Sequence, residues 1–151
     1  VKGPQIMKGY LNNPEATDET IVDGWLKTGD VAKMDEDGYL YIVDRIKDMV
    51  IVSGFNVYPA EVEDALTRSD QVAEAAVIGL NDDETGERVV AYIVPVDDTV
   101  SEADVISHCK EHLTAYKVPK TVEFVSELPK SPVGKVLRRE LRDKAKALVA
   151  A

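Results

Sequence analysis

Residues 72–96, VAEAAVIGLNDDETGERVVAYIVPV, decide the fold because two apolar runs flank one polar loop. The runs VAEAAVIGL and RVVAYIVPV are rich in the aliphatic residues typical of buried strands, and NDDETGE between them is polar and contains a glycine. This pattern predicts two neighbouring strands. The segments on either side are expected to supply further strands and the helices that cover the sheet.

Three helical segments and one short strand surround this pair of predicted strands. The first helix follows Pro59, which suits a first helical turn because its missing N–H is not needed there. The second, SEADVISHCKEHL, opens with Ser101 and Asp104 at the spacing of a capping box. TVEFV predicts a short strand, and the third helix is expected to begin near Lys135.

Upstream, GWLKTGDVAKMDEDGYLYIVD predicts two short strands around a DEDG turn. The polar residues RIKD at 45–48 then interrupt the apolar pattern, as either a turn or a hinge. Hairpins fit this sequence better than regular βαβ repeats. We therefore predict an α+β fold with a small mixed β-sheet covered by helices and preceded by a β-hairpin.

Composition limits the function. The net charge of −10 over 151 residues argues against nonspecific nucleic-acid binding through a broad basic face. A single cysteine excludes an internal disulfide framework and suits a reducing compartment. The sequence has no run of about 18 apolar residues of the kind that spans a membrane. It opens in mid-pattern at Val1, and we expect it to be a fragment of a longer protein.

The C-terminal stretch PKSPVGKVLRREL, residues 129–141, places Lys135 after Gly134 at the start of the predicted helix. A Walker-type phosphate loop is excluded because Pro129 and Val136 occupy the required Gly and Ser/Thr positions. A lysine at a flexible loop tip can still neutralise a carboxylate or phosphate. A cation at a helix N-terminus is unfavourable by about 0.3–1 kcal/mol, whereas an anion bound there would gain from both groups. An ordinary surface lysine is the alternative.

The remaining candidates are weaker when taken singly. Asp30 in KTGD could accept hydrogen bonds from ribose hydroxyls or simply close a turn. The cluster DRIKD, residues 44–48, is by itself best explained as a solvated turn with local ion pairs. His108 and His112 have a metal-binding spacing, but a solvent-facing pair is the better interpretation. Cys109 lies on an apolar stripe and is expected to be buried and inert.

The order of five motifs is far more specific than any one of them. GYLNNPEAT, GWLKTGD, DRIKDMVIVSGFNVYPAEVE, LTAYKVPK and LPKSPVGKVLRREL occur in the order and spacing found in adenylate-forming enzymes. The chain resembles the C-terminal part of an acyl-CoA synthetase of this superfamily, and most of all a bacterial long-chain fatty-acid–CoA ligase. The resemblance extends over essentially the whole sequence.

The resemblance implies an acid–thiol ligase that works in two steps. A fatty acid and ATP, with Mg²⁺, give an acyl-adenylate and pyrophosphate, and the thiol of CoA then displaces AMP. It also implies that residues 1–44 are the tail of a large N-terminal domain, that 45–48 are a hinge and that 49–151 are a mobile C-terminal domain. The Mg²⁺ site and the acyl tunnel would lie upstream, so the isolated fragment is predicted to be inactive.

Site residues follow from the same resemblance. Asp30 and Arg45 resemble the residues that bind the ribose of ATP, Ile42 the residue that packs near the adenosine, and Lys47 the hinge residue. Lys135 resembles the catalytic lysine that reaches the substrate carboxylate and the α-phosphate during adenylation.

Ser53 and Gly54 resemble the turn that lines the pantetheine tunnel for CoA, and no metal ligand is assigned within the chain. Ile51 occupies a position where luciferases carry a functional lysine, which argues against that branch. The expected partners are the small-molecule substrates and the protein's own N-terminal domain, with no nucleic acid. We expect a cytoplasmic location, with peripheral association at the inner membrane face left open.

Three alternatives remain open at this point. The parent protein could be a synthetase for another carboxylic acid, aryl or medium-chain, because the missing domain sets the acid specificity. It could be an adenylation domain that loads a carrier protein instead of free CoA. A noncatalytic α+β binding module is the least favoured, because it leaves the ordered set of motifs unexplained.

Overall fold

The computed structural model describes residues 1–149, without the side chains of the last two of them. The chain forms two compact units, Val1–Lys47 and the residues from Asp48 onward. This boundary lies inside the range 45–48 for which the sequence predicts a hinge, and motion at that hinge stays a prediction. None of the helices in the described part of the chain is long and apolar enough to cross a membrane.

The first unit is small and is built from one helix and two short hairpins. Its helix is capped by Asn13, whose side chain accepts a hydrogen bond from the backbone N–H of Ala16 at 3.0 Å. The two longest strands pair in antiparallel fashion around a turn at DEDG, as the sequence predicts. In chain order the elements are α1 (Pro14–Thr20), β1 (Ile21–Val22), β2 (Trp25–Leu26), β3 (Asp30–Met34) and β4 (Leu40–Arg45).

A five-stranded mixed sheet forms the centre of the second unit. Its strands are β5 (Val50–Val52), β6 (Phe55–Val57), β7 (Val72–Asp82), β8 (Gly86–Pro95) and β9 (Thr121–Phe124). The central pair, β7 and β8, is antiparallel and corresponds to the two apolar runs of residues 72–96. Strand β9 pairs with β8 in parallel, so the predicted mixed sheet is confirmed.

Helices cover both faces of this sheet: α2 (Pro59–Thr67), α3 (Glu102–His112) and α4 (Arg138–Val149). Helix α2 starts at Pro59, and α3 carries the predicted capping box between Ser101 and Asp104. The prediction for α4 is wrong by one turn, because this helix begins three residues after Lys135. Two 3₁₀ turns are also present. Ile46–Asp48 spans the boundary between the two units, and Ala115–Lys117 lies between α3 and β9.

Alternating residues of β7 divide the core into two layers. Val77 faces the layer covered by α2 and α3, which includes Leu66 and Cys109. Ala76 and Ile78 face the other layer, which is closed by α4. Burial on both faces explains why residues 75–80 of β7 are apolar at every position rather than alternating. The fold is therefore the α+β sheet with helical cover that the sequence predicts.

Candidate functional site

The β3–β4 hairpin brings Asp30 and Arg45 together although they are 15 residues apart. They are directly opposed in the strand register, and Arg45 Nε lies 3.4 Å from Asp30 Oδ1. The pair is anchored at its open end, where Gly29 O accepts a hydrogen bond from the N–H of Ile46 at 2.9 Å. A partly exposed carboxylate beside a guanidinium offers an acceptor and donors to a diol or a phosphate.

The turn of this hairpin is held by Asp35. Its Oδ1 accepts hydrogen bonds from the backbone N–H groups of Tyr39 at 2.8 Å and Asp37 at 3.1 Å. The bond from Tyr39 is the main reason that the pKa of the Asp35 carboxyl lies below its ordinary value. Ile42, on the returning strand, is 66% exposed and could contact a planar ring. Its predicted place beside adenosine stays a prediction.

Ser53 and Gly54 form the two-residue turn between β5 and β6. Both have left-handed backbone conformations, with φ of 51° and 84°, as a tight hairpin of this length requires. The backbone N–H of Ser53 donates to Thr85 O at 2.7 Å, which fixes the turn to the β7–β8 loop. A Cβ added at Gly54 would meet no atom within 4 Å, so the surface above the turn is open to a ligand.

An aromatic pair beside this turn, formed by exposed Phe55 and half-buried Tyr116, was not predicted from the sequence. The rings of Phe55 and Tyr116 stack with centroids 4.8 Å apart, and 57% of Phe55 is exposed. Lys117 lies 5.8 Å from the centre of the Tyr116 ring and binds Glu61 at 2.6 Å. The only sequence signal was that both aromatics fall inside the ordered motifs, VSGFNVYP and LTAYKVPK.

Lys135 lies in a closed turn, and this corrects two expectations. Ser131 Oγ accepts from the backbone N–H of Lys135 at 3.1 Å, and the N–H of Ser131 donates to Lys135 O at 2.8 Å. Gly134 has a φ of 80°, and the backbones of Lys130 and Val136 form an isolated antiparallel β-bridge across the turn. Lys135 is therefore on a hydrogen-bonded loop rather than a loose tip. Because α4 begins at Arg138, the helix-dipole argument does not apply to Lys135.

A cluster of buried and partly buried charges is the largest feature that sequence analysis missed. Asp44 and Asp48 are 6% and 8% exposed, so the expectation that DRIKD is simply a solvated turn is wrong for both of these residues. Asp48 belongs to the cluster. The Asp48 carboxylate accepts a hydrogen bond from Arg142 Nη2 of α4 at 2.7 Å, and its Oδ2 lies 3.9 Å from Arg138 Nη1. Arg138 also binds Glu63 of α2 at 2.6 Å. Lys47, the preceding residue and the predicted hinge, is exposed.

The expectation that His108 and His112 both face the solvent is wrong for His108. His108 is half-buried, and its Nε2 lies 2.9 Å from the carbonyl oxygen of Ala65, so the ring joins α3 to α2. The His112 ring is 4.6 Å from that of His108 and is exposed. In residues 1–149 no group of three or more His, Cys, Asp or Glu side chains is arranged to hold a metal ion.

Cys109 is buried, as expected for its place on the apolar stripe of α3. Burial raises the pKa of its thiol to about 11. A thiol that stays protonated at neutral pH is a poor nucleophile, which agrees with an inert structural role.

The predicted site residues fall into two groups. Asp30, Ile42 and Arg45 share one hairpin of the first unit. The Ser53–Gly54 turn and Lys135 lie on different loops of the second unit. The structure thus assembles the predicted ribose pair directly, while the roles of all these residues stay predictions.

Comparisons with known proteins agree with the motif order. Residues 61–135 match the family described as AMP-binding enzyme C-terminal domain. A long-chain-fatty-acid–CoA ligase of Salmonella typhimurium is 57% identical over 149 residues, which cover 99% of this chain and 27% of the relative. A 2-succinylbenzoate–CoA ligase of Bacillus cereus is 47% identical over 94% of the chain and 29% of its own length.

Solved structures give the same result for the fold. The crystal structure of ATP-bound MatB from Rhodopseudomonas palustris superposes with a TM-score of 0.92 and 42% identity. The match covers 97% of this chain and 30% of that one. The chain therefore spans less than a third of the length of each of these relatives.

Proposed function

Residues 61–135 belong to the AMP-binding enzyme C-terminal domain family, and from this premise we propose that the chain is the C-terminal part of an ATP-dependent long-chain fatty-acid–CoA ligase. The carboxylate of the fatty acid attacks the α-phosphorus of ATP, and pyrophosphate leaves. The sulfur of CoA then attacks the acyl carbon of the adenylate, forms the thioester and releases AMP.

The observation that carries the proposal is the pairing of Asp30 with Arg45. Ribose recognition needs an acceptor for the hydroxyl protons and a donor for the hydroxyl oxygens, held at one place. The hairpin register supplies both within 3.4 Å of each other. The 57% identity to a long-chain-fatty-acid–CoA ligase, over almost the entire chain, supports the choice of substrate class.

In this proposal Lys135 is the catalytic residue of the first step. Adenylation brings an anionic carboxylate against an anionic phosphate, so a positioned cation stabilises the transition state. The closed turn from Ser131 to Lys135 limits the positions that the lysine can reach, which favours precise placement. The Ser53–Gly54 turn would line the path of the pantetheine arm in the second step.

The arrangement of domains is part of the proposal. Residues 1–44 would complete a large N-terminal domain, 45–48 with Lys47 would form the hinge, and 49–151 would rotate between the two steps. Mg²⁺, which accompanies ATP, would be bound by the upstream domain. We further propose a cytoplasmic protein, with peripheral association at the inner membrane face as the route to an apolar substrate.

A second candidate is a ligase for an aromatic acid. The observation that favours it is the 47% identity to a 2-succinylbenzoate–CoA ligase. Pyrophosphate exchange measured with a long-chain fatty acid and with 2-succinylbenzoate would separate the two, because only the true acid supports exchange.

The decisive experiment uses the full-length protein with Lys135→Ala. Fatty-acid-dependent ATP–pyrophosphate exchange and attack of CoA on supplied acyl-adenylate are measured separately. Exchange should fall by about 100-fold or more while CoA attack persists, because the lysine acts only in the first step. Lys144→Ala, the same change on the exposed part of α4, is the control and should leave both steps intact.

Two results would contradict the proposal. Exchange that survives Lys135→Ala would make this lysine a surface residue. Formation of acyl-CoA by the purified 151-residue chain would show that no upstream domain is needed. A third candidate, loading of a carrier protein, would be supported by transfer of the acyl group to a phosphopantetheinylated carrier and not to free CoA.

A further inference from the structure

Four charged side chains that are distant in sequence form one partly buried cluster in the second unit. Asp48, Glu63, Arg138 and Arg142 have side-chain exposures of 10%, 19%, 22% and 25%. They come from the first residue of the unit, from α2 and from α4. We refer to these four residues as the ion cluster. Asp48 is the buried member, the other three are partly buried, and each of the four is paired with an opposite charge. Pairing of this kind offsets the cost of removing a charge from water.

The ion cluster fixes α4 at two points. Arg142 Nη2 donates to Asp48 Oδ1 at 2.7 Å. Arg138 uses two nitrogens on Glu63, Nε at 3.1 Å and Nη2 at 2.6 Å, and a third, Nη1, lies 3.9 Å from Asp48. Since a two-pronged contact between guanidinium and carboxylate fixes direction as well as distance, the rotation of α4 about its axis is restricted.

Glu63 connects the ion cluster to the sheet. Its Oε1 also accepts a hydrogen bond from the backbone N–H of Val77 at 2.8 Å, on strand β7. On the same face of α4, at the i+3 and i+7 positions from Arg138, Leu141 and Ala145 are buried with Ala76 and Ile78 of the same strand. Helix α4 is thus held to β7 both by an apolar contact and by a chain of polar contacts.

The Lys135 loop leads directly into the part of α4 that the ion cluster holds. Only two residues separate Lys135 from Arg138, and the backbone N–H of Leu137 donates to Pro129 O at 2.8 Å. At the other end of the ion cluster, Asp48 directly follows the predicted hinge residue Lys47. The ion cluster therefore connects the start of the second unit to the loop that carries the proposed catalytic lysine.

We propose that Asp48 is a positioning residue for Lys135: its carboxylate holds α4, and α4 holds the loop. Rotation of the second unit about Lys47 would then move the Lys135 loop as part of one rigid body. This inference rests on the proposed function, because it assigns the consequence to the adenylation step. The turn at Ser53 is fixed by a different contact, the hydrogen bond from its backbone N–H to Thr85 O.

The test replaces Asp48 by Asn in the full-length protein, which removes the charge and keeps the volume. Adenylation, measured by pyrophosphate exchange, should fall roughly 10- to 100-fold, because a misplacement of about 1 Å has that effect on a catalytic group. CoA attack on supplied acyl-adenylate should stay within about twofold of wild type. Asp143→Asn is the matched control, because Asp143 faces Arg139 at 3.8 Å on the exposed side of α4.

A double variant separates positioning from general damage to the fold. If Asp48 acts through Lys135, then Asp48→Asn should have little further effect on exchange once Lys135 is already Ala. Hydrogen exchange supplies a second readout. The backbone N–H groups of Ser131 and of residues 133–137 should exchange faster in Asp48→Asn, whereas those of β7 and β8 should not. Asp143→Asn should change neither set.

The outcomes distinguish the two proposals. If Lys135→Ala leaves exchange intact, the proposed function fails. If Lys135→Ala abolishes exchange but Asp48→Asn behaves like Asp143→Asn, only the positioning role is overturned. Should Asp48→Asn fail to fold, Arg142→Gln removes the closest partner of Asp48 and enters the same cycle. If neither variant folds, the ion cluster is a requirement for folding and the positioning role is rejected.

Discussion

Replacing Glu63 by Gln should destabilise the chain far more than replacing its neighbour Asp64 by Asn. The two acids are adjacent on α2, and each forms an ion pair with one arginine. They differ in burial. The Asp64–Arg68 pair has side-chain exposures of 63% and 64%, while Glu63 and Arg138 are 19% and 22% exposed. The comparison therefore isolates the effect of burial on a charge.

The magnitude follows from the bonds that are lost. Glu63 accepts three hydrogen bonds, two from Arg138 and one from the N–H of Val77. A glutamine keeps one acceptor oxygen but turns an amide donor toward the guanidinium. Breaking a buried pair costs about 3–5 kcal/mol, and the residual exposure here reduces this to roughly 2–3 kcal/mol. For the exposed Asp64 pair we expect less than about 0.5 kcal/mol.

The assay is equilibrium unfolding of the chain in urea, followed at low and at high salt. Salt at about 1 M shortens the screening length to about 3 Å, which should remove the small effect of Asp64→Asn. The effect of Glu63→Gln should persist, because its pair is shielded from the solvent. If the two variants lose the same free energy of unfolding at every salt concentration, the assignment of Glu63 to a buried cluster is wrong.

Two further experiments test the core of the second unit: one substitution and one alkylation measurement. A Cβ on Gly79 would lie 2.9 Å from Val50 Cγ1 and 3.1 Å from Glu87 Oε1. Gly79→Ala should therefore lower the free energy of unfolding, measured in urea, by about 1–3 kcal/mol. If the variant is as stable as the wild type, Val50 can move aside. Because burial raises the pKa of Cys109 to about 11 from an ordinary 9.0, alkylation at pH 8 should be roughly 100-fold slower than in the unfolded chain. The folded state holds the thiol proton more tightly than the unfolded state does. The stabilisation that the protonated thiol provides is therefore complete below pH 9.0 and is lost as the pH rises through about 11. Equal alkylation rates in the folded and unfolded states would contradict the burial of Cys109.

The sheet and two of its helices could be predicted because their signals are local or apolar. The runs at 72–80 and 88–96 need only to be buried on both faces, and Pro59 marks its helix start by geometry alone. Ser101 and Asp104 cap α3 within four residues. The start of α4 was misplaced because VLRREL continues a helical pattern backward, while the turn bonds of Ser131 keep Lys135 out of the helix.

The candidate site could be predicted only in part. The pairing of Asp30 with Arg45 follows once the hairpin register is known, since strands on either side of a short turn oppose each other directly. The resemblance to adenylate-forming enzymes supplied the expected roles. Neither source indicated that Phe55 and Tyr116 stack. One residue lies on β6 and the other in the 3₁₀ turn Ala115–Lys117, and a contact between them leaves no pattern along the chain.

The ion cluster shows why charge is harder to interpret than hydrophobicity in a single sequence. Apolar burial is not directional, so a stripe such as Leu141 and Ala145 predicts its own burial without a named partner. A charged residue is buried only if a specific partner reaches it, and here the partners lie 75 and 94 residues apart. Arg138 and Arg142 share a face of α4, but their sequence is equally compatible with solvent. Their burial, and with it the connection from Asp48 to the Lys135 loop, exists only in the folded chain.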